Sequence, residues 1–268
     1  MGGSNTFNKA LNGLNVKIKK PPDINYVSWL GSNTNPKTTI YVDVSVIFYI
    51  LHATSDLGFE SFFCNTNVDD SLVQRYLDKM NRYLEPLKIY SKVVMVFEAG
   101  GSRQNRKRSQ NLNNGIRNVF LKKYHGSTFL GKNTISRSCG LPPLDIQSKI
   151  AAAVNQKFGY AFSFAPGKAD ELIFQLVNAA QAPCYVYSVD HDYIVYSPYV
   201  TGMIGPKLKD RFILRRTDIL EKLGITSNQF IWCFCAAGSD DVNGISKIGF
   251  KKALNACKGV ATVLTVVF

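Results

Sequence analysis

The sequence predicts an α/β protein with a mostly parallel central sheet flanked by helices on both faces. Three observations carry this expectation. Short β-branched, apolar runs at 38–43, 92–97 and 184–189 read as fully buried strands. Helical patterns stand between and after them, so strand and helix alternate. Hydrophobic residues make up 46% of the chain and charged residues 19%, enough apolar material for a large core. At 268 residues the chain is short enough for one domain, since single cores stop growing near roughly 250–300 residues.

The elements follow in order. Residues 1–37 are rich in Asn, Gly and Pro and read as irregular, with one short helix at 6–14. The strand at 38–43 ends on Asp43 and leads into an apolar helix at 44–53. Residues 69–88 place Leu72, Tyr76, Met80, Tyr83 and Leu87 at helical spacing. The strand at 92–97 ends at Glu98, and 99–108 is Gly-rich and then basic. Residues 109–160 are polar, with helices joined by long connections. A helix at 169–180 precedes the strand at 184–189, which runs into Asp190-His191-Asp192. A short strand at 212–215 and helices at 217–223, 227–237 and 250–257 complete the pattern.

Lys plus Arg number 32 against 19 Asp plus Glu, a formal net charge of +13. That excess points to an acidic partner, nucleic acid before an anionic membrane. No apolar run is long enough to span a bilayer. The first residues lack a signal-peptide core, so secretion is not encoded there. The six cysteines include no C-x-x-C pair, and Cys184, Cys233 and Cys235 sit in apolar runs. They read as reduced core residues of an intracellular protein, nuclear or cytoplasmic. The three histidines are scattered, which argues against zinc.

The acids fall where chemistry is done. Asp43, Glu98 and the pair Asp190/Asp192 end strands, and ligands bind at the carboxyl ends of strands in open parallel sheets. Asp170 opens a helix and Asp240 follows a Gly-Ser turn. Singly, Asp43, Asp170 and Asp240 have ordinary readings as strand-end, cap or turn residues, whereas a D-x-D directly after a buried strand is a poor place for unpaired charge. Together they form a carboxylate set that repels itself unless cations are bound. Hard oxygen ligands suit Mg²⁺ or Mn²⁺, and two such ions about 4 Å apart support phosphodiester hydrolysis.

These segments resemble the flap endonuclease and XPG-type structure-specific 5′ nucleases, a PIN-like family. Val42-Asp43 with its apolar helix is similar to the first acidic motif, and Phe97-Glu98-Ala99-Gly100 to the FDG motif. Ala165-Pro166-Gly167-Lys168-Ala169-Asp170 resembles APxEAEA, and Ser188-Val189-Asp190-His191-Asp192 resembles xxDxD. Leu223 to Phe230 and Ala237-Gly238-Ser239-Asp240 resemble LGL…QF…GSDY. Gly244 to Leu254 resembles the I-x-G-I-G-x-K-x-A stretch of a helix–two-turn–helix motif. The order holds from about 40 to 257.

The resemblance implies one PIN-like nuclease domain over 1–268, with a basic arch or gateway insertion at 100–165 and a helix–two-turn–helix at 240–257. It implies a two-metal nuclease acting near 5′ ends or junctions of DNA or RNA. Asp43, Glu98 and Asp170 would serve one Mg²⁺ or Mn²⁺, and Asp190, Asp192 and Asp240 the other. Glu98 stands where the family has Asp. Lys168 stands where the family has a metal-binding Glu, a change from −1 to +1 that removes one metal site or lets the ammonium stand in for a cation. The alternative is therefore a weakened pseudo-nuclease that binds nucleic acid or acts as a scaffold. Arg103, Arg106, Lys107 and Arg108 are candidate phosphate contacts. Gly244, Lys247, Gly249, Lys251 and Lys252 would grip a duplex backbone, with K⁺ as a candidate ion there.

Overall fold

The computed structural model describes residues 15–55, 57–58, 61, 70–99, 140–207, 211–238 and 244–259. The chain divides into two compact units, one of residues 24–175 and one of residues 1–23 with 176–268.

The first unit carries a three-stranded parallel sheet of β2 (Thr39–Asp43), β3 (Lys92–Glu98) and β4 (Ala161–Ala165). Asp43 pairs with Val96, and Glu98 with Ala165, so the three carboxyl ends lie in register. Paired residues of a ladder share a face and side chains repeat every second residue. Asp43, Val96 and Glu98 therefore face the same way. Helix α1 (Tyr26–Asn33) precedes β2, and α2 (Val44–Thr54) follows it without a break. Helices α3 (Asp70–Leu84) and α4 (Leu144–Phe158) also belong to this unit.

Aromatic side chains from four of these elements meet in the core. Phe48 of α2 meets Tyr76 of α3 edge-on, with centroids 5.6 Å apart at 90°. It also meets Phe97 of β3 at 6.2 Å, and Phe97 meets Phe164 of β4 at 5.2 Å. The Tyr76 hydroxyl lies 2.8 Å from His52 Nε2 and donates to the Leu57 carbonyl at 3.1 Å. A buried phenol needs such partners. This cluster presses α2, and so Asp43 at its start, onto the strand that carries Glu98.

The second unit holds β1 (Lys17–Lys19), β5 (Cys184–Tyr187), β6 (Val200–Gly205) and β7 (Phe212–Arg215). β5 and β6 are parallel, while β6–β7 and β7–β1 are antiparallel. Helices α6 (Tyr193–Tyr196), α7 (Arg216–Leu223), α8 (Ser227–Ala237) and α9 (Phe250–Gly259) belong to it. Helix α5 (Ala169–Ala180) contains the division between the units. Thr226 and Gln229 form a reciprocal capping box at the start of α8. The expected α/β class, mostly parallel with flanking helices, is what the structure has.

Four expectations change. Residues 15–37 are not irregular throughout: they contain β1 and α1. A three-residue strand has too little alternation to read, and its partner β7 lies far along the chain. Part of the 100–165 insertion is body: residues 144–165 build α4 and β4, while 100–139 lie outside the described residues. Strand β4 is half exposed and shows no buried run. Strand β6 is an addition, since two glycines weaken a strand pattern, yet a Cβ at Gly205 would collide with the Phe212 ring. Finally, the helix expected over 69–88 ends at Leu84, because Pro86 cannot continue it and 85–89 tighten into a 3₁₀ turn. The short helix expected at 6–14 lies outside the described residues.

Cys184, Cys233 and Cys257 are buried free thiols and Cys235 is half-buried. Burial pushes the Cys184 thiol up to about 12, and burial with the neighbouring Cys257 does the same to Cys233. Among the described residues no helix is long and apolar enough to cross a membrane.

Candidate active site

Asp43 is the last residue of β2 and the cap position of α2, and it is only 6% exposed. Its carboxylate does not cap the helix. Instead it accepts a hydrogen bond from the Ser45 hydroxyl. A carboxylate at a helix N-terminus is favoured in its charged form by the helix dipole.

Glu98 ends β3 and is half-buried. Its Oε1 accepts from the Ala169 amide at 3.3 Å, which places it against the first turn of α5. Asp170 is the second residue of that helix, and its Oδ1 accepts from the Glu171 amide at 2.8 Å. Thus Asp43, Glu98 and Asp170 sit at one end of the three-stranded sheet.

Tyr49 marks the same neighbourhood. Its phenol is held above the ordinary value by burial first, and then by the charges of Glu98 and Asp43. Its side chain nevertheless remains 51% exposed. A half-exposed aromatic side chain therefore stands near two carboxylates. The sequence reading missed Tyr49, because within an apolar helix nothing separates it from core residues such as Phe48.

Lys168 is exposed in the turn that leads into α5. Glu171 folds back over Gly167: its Oε2 lies 2.8 Å from where a Cβ would stand.

Asp190 and Asp192 lie in the other unit, directly after β5. The Asp190 amide donates to Ser188 Oγ at 3.2 Å, and the Asp192 amide to Asp190 Oδ1 at 3.1 Å. These bonds wind the D-x-D segment into a turn. Asp190 is exposed and Asp192 half-buried. His191 between them stacks on Phe212 at 6.2 Å and 8°. Burial, then the nearby Lys17 charge, press its imidazole down to about 4.

Asp240, Arg103, Arg106, Lys107 and Arg108 lie outside the described residues. Among the described residues no three His, Cys, Asp or Glu side chains are spaced as a set that could hold a metal ion.

The candidate duplex grip is a helical hairpin. Phe230 of α8 meets Phe250 of α9 edge-on at 6.3 Å and 84°. Between the helices the Ile245 amide donates to the Ala236 carbonyl at 2.9 Å, and the Ile248 amide to the Ile245 carbonyl at 3.0 Å. Lys247 takes a left-handed conformation at φ 64°, and its carbonyl accepts from Lys252 Nζ at 3.3 Å. Lys247, Lys251 and Lys252 are exposed, and so is Ile245 at 59%. Gly249 starts the turn of α9, where the Ala253 amide bonds to its carbonyl at 3.0 Å.

Gly244 is required by contact. A Cβ there would lie 2.5 Å from the Gly238 amide nitrogen and 2.7 Å from the Ala237 carbonyl oxygen. Both are backbone atoms, so the turn itself must move. Gly244→Ala is expected to lower stability by about 1–3 kcal/mol, as overpacking does. Urea unfolding checks this, and an unchanged midpoint would contradict it.

The fold defined by these elements is the PIN-like nuclease fold of the flap-endonuclease and XPG type. Two solved structures share this fold. The chain is similar to the catalytic core of Rad2 in complex with DNA substrate, at 15% identity and a TM-score of 0.52, over 96% of this chain and 69% of that one. It is similar to human GEN1 in complex with Holliday junction DNA, at 15% identity and a TM-score of 0.52, over 98% of this chain and 56% of that one. No protein-family profile matches the sequence, and no curated protein does either.

Proposed function

We propose that the protein is a divalent-metal-dependent, structure-specific nuclease that hydrolyses phosphodiester bonds of DNA or RNA near 5′ ends or junctions. The observation that supports this reading is the placement of the Asp43, Glu98 and Asp170 positions at the same end of a parallel sheet, in a chain of net charge +13. An acidic pole on so basic a protein suits a hard cation and a polyanion together. The fold shared with DNA-bound Rad2 and GEN1 supports the same substrate class.

The donor type suits Mg²⁺ or Mn²⁺, while the described carboxylates are not drawn together as a three-ligand set. The donors are carboxylate oxygens, one of them buried, without thiolate or imidazole ligands in register. Asp43, Glu98 and Asp170 are the proposed ligands of one ion, and Asp190, Asp192 and Asp240 of a second. When bound, such ions activate water and stabilise the leaving oxygen.

The chain's own residues do the rest. Ser45 fixes the Asp43 carboxylate by donating to it. The Ala169 amide fixes Glu98 by donating to it. Tyr49, half-exposed near Asp43 and Glu98, is a proposed stacking contact for a nucleobase. Arg103, Arg106, Lys107 and Arg108 hold phosphates, and the Gly244, Lys247, Gly249, Lys251 and Lys252 turn holds the duplex backbone, with K⁺ as a candidate ion.

One residue favours a second reading. Lys168 precedes the α5 carboxylate and brings a positive charge to the turn beside it. On that reading the protein binds nucleic acid and cuts it poorly, or serves as a scaffold.

The test is incubation with 5′-labelled flap, hairpin and single-stranded DNA and RNA, with Mg²⁺, Mn²⁺ or EDTA. Cleavage abolished by EDTA supports the nuclease. Salt-dependent binding without cleavage, with cleavage gained in Lys168→Glu, supports the pseudo-nuclease. Neither binding nor cleavage would sink the nuclease and the nucleic-acid-binding readings and leave the scaffold alone.

A further inference from the structure

After β5 the chain turns through Asp190-His191-Asp192, makes the single helical turn α6, and reaches β6 through Ser197. A four-residue helix leaves its carbonyls without partners further along the same helix. Three carbonyls at this point are collected by one side chain. Arg216 Nη1 donates to the carbonyls of Ile194 at 2.7 Å, Val195 at 3.2 Å and Ser197 at 3.0 Å.

Arg216 is 5% exposed. It opens α7 directly after β7, a strand paired on both sides with β6 and β1. The Phe230 ring of α8 covers the guanidinium, 5.9 Å from its centroid. The remaining donors, Nε and Nη2, are buried without a hydrogen-bond partner among the described residues. Among the described residues no carboxylate pairs with it.

A buried cation is costly unless it is well bonded. Here the bonds made are to the backbone of one turn, at the end of a helix where positive charge is favoured. The two backbone bonds that wind that turn, Ile194 amide to His191 carbonyl and Val195 amide to Asp192 carbonyl, lie under the same clamp. A strongly desolvated arginine spent on three carbonyls is an unusual way to finish an ordinary loop. It is a reasonable way to hold a carboxylate pair at a set position on a rigid strand end.

We propose that Arg216 is a positioning residue for the Asp190/Asp192 pair, fixing their turn through the carbonyls of Ile194, Val195 and Ser197. The inference rests on the nuclease reading, in which those two aspartates hold metal. It does not place Arg216 in contact with substrate.

The test uses Arg216→Met, which keeps bulk and removes the donors, and Arg216→Lys, whose ammonium offers three donors on a shorter reach. Two readouts are taken on folded protein: amide exchange at Ile194 and Val195, and kcat and KM of Mn²⁺-dependent flap cleavage. In Arg216→Met exchange should quicken about tenfold or more. The kcat should fall by about tenfold to a hundredfold with KM within about twofold, as loss of orientation predicts. Arg216→Lys should lie between wild type and Arg216→Met on both.

Exchange and kcat both within about twofold of wild type in Arg216→Met would overturn the proposal. Faster exchange with unchanged kcat would also overturn it, since Arg216 would then be a support alone. Should Arg216→Met fail to fold, Arg216→Lys is judged by the same twofold limit. Should wild type fail to cleave, the nuclease reading falls, and exchange alone decides whether Arg216 holds the turn.

Discussion

Asp190→Ala is expected to remove metal-dependent cleavage almost completely. The proposed role of Asp190 is to hold a cation that stabilises charge developing on the phosphoryl oxygens, a contribution of several kcal/mol. Each 1.4 kcal/mol is a factor of ten in rate, so the loss is about a thousandfold or more. The side chain is exposed and opens a turn, so its truncation disturbs little of the core. The Asp192 amide loses its Asp190 Oδ1 acceptor at 3.1 Å but gains access to water. Loss of activity should thus come with a urea midpoint near that of wild type. Duplex binding at low salt should also persist, because it depends on the basic residues. Retention of even a tenth of the wild-type rate would exclude Asp190 from the metal-holding set.

Phe48→Ala is expected to have the largest effect on stability, about 3–5 kcal/mol. Phe48 is 1% exposed and touches Tyr76, Phe97 and His52 at once. Three elements would face the cavity, α2, α3 and β3, and two of them border the candidate site. Since whole domains are stable by only about 5–15 kcal/mol, the variant should unfold at much lower urea. Equilibrium urea unfolding followed by circular dichroism measures this. A loss below about 1 kcal/mol would mean that the site refills, and that α2 is not held by this cluster.

Much of the architecture could be read from the chain alone. The runs at 38–43, 92–97 and 184–189 became β2, β3 and β5, because continuous β-branched segments have few other uses. Asp43 and Glu98 could be named because each follows such a run directly. Tyr49 and Arg216 could not. Tyr49 differs from its helical neighbours only in facing outward beside two charges. Arg216 differs from Arg215 only in pointing into the protein, toward carbonyls some twenty residues earlier. Strands β4 and β6 were hidden for a related reason. One is half exposed and the other contains two glycines, so both depend on partners that the local pattern does not name.

By itself the sequence determined the class of fold, the basic charge and the order of the acidic motifs, since these depend on composition and short-range periodicity. Tertiary structure alone decided that Asp43, Glu98 and Asp170 share one sheet end, that Tyr49 stands open beside them, and that a buried arginine closes the turn behind Asp190 and Asp192. Those facts depend on strand register and on contacts between distant segments, which the local pattern of residues does not encode.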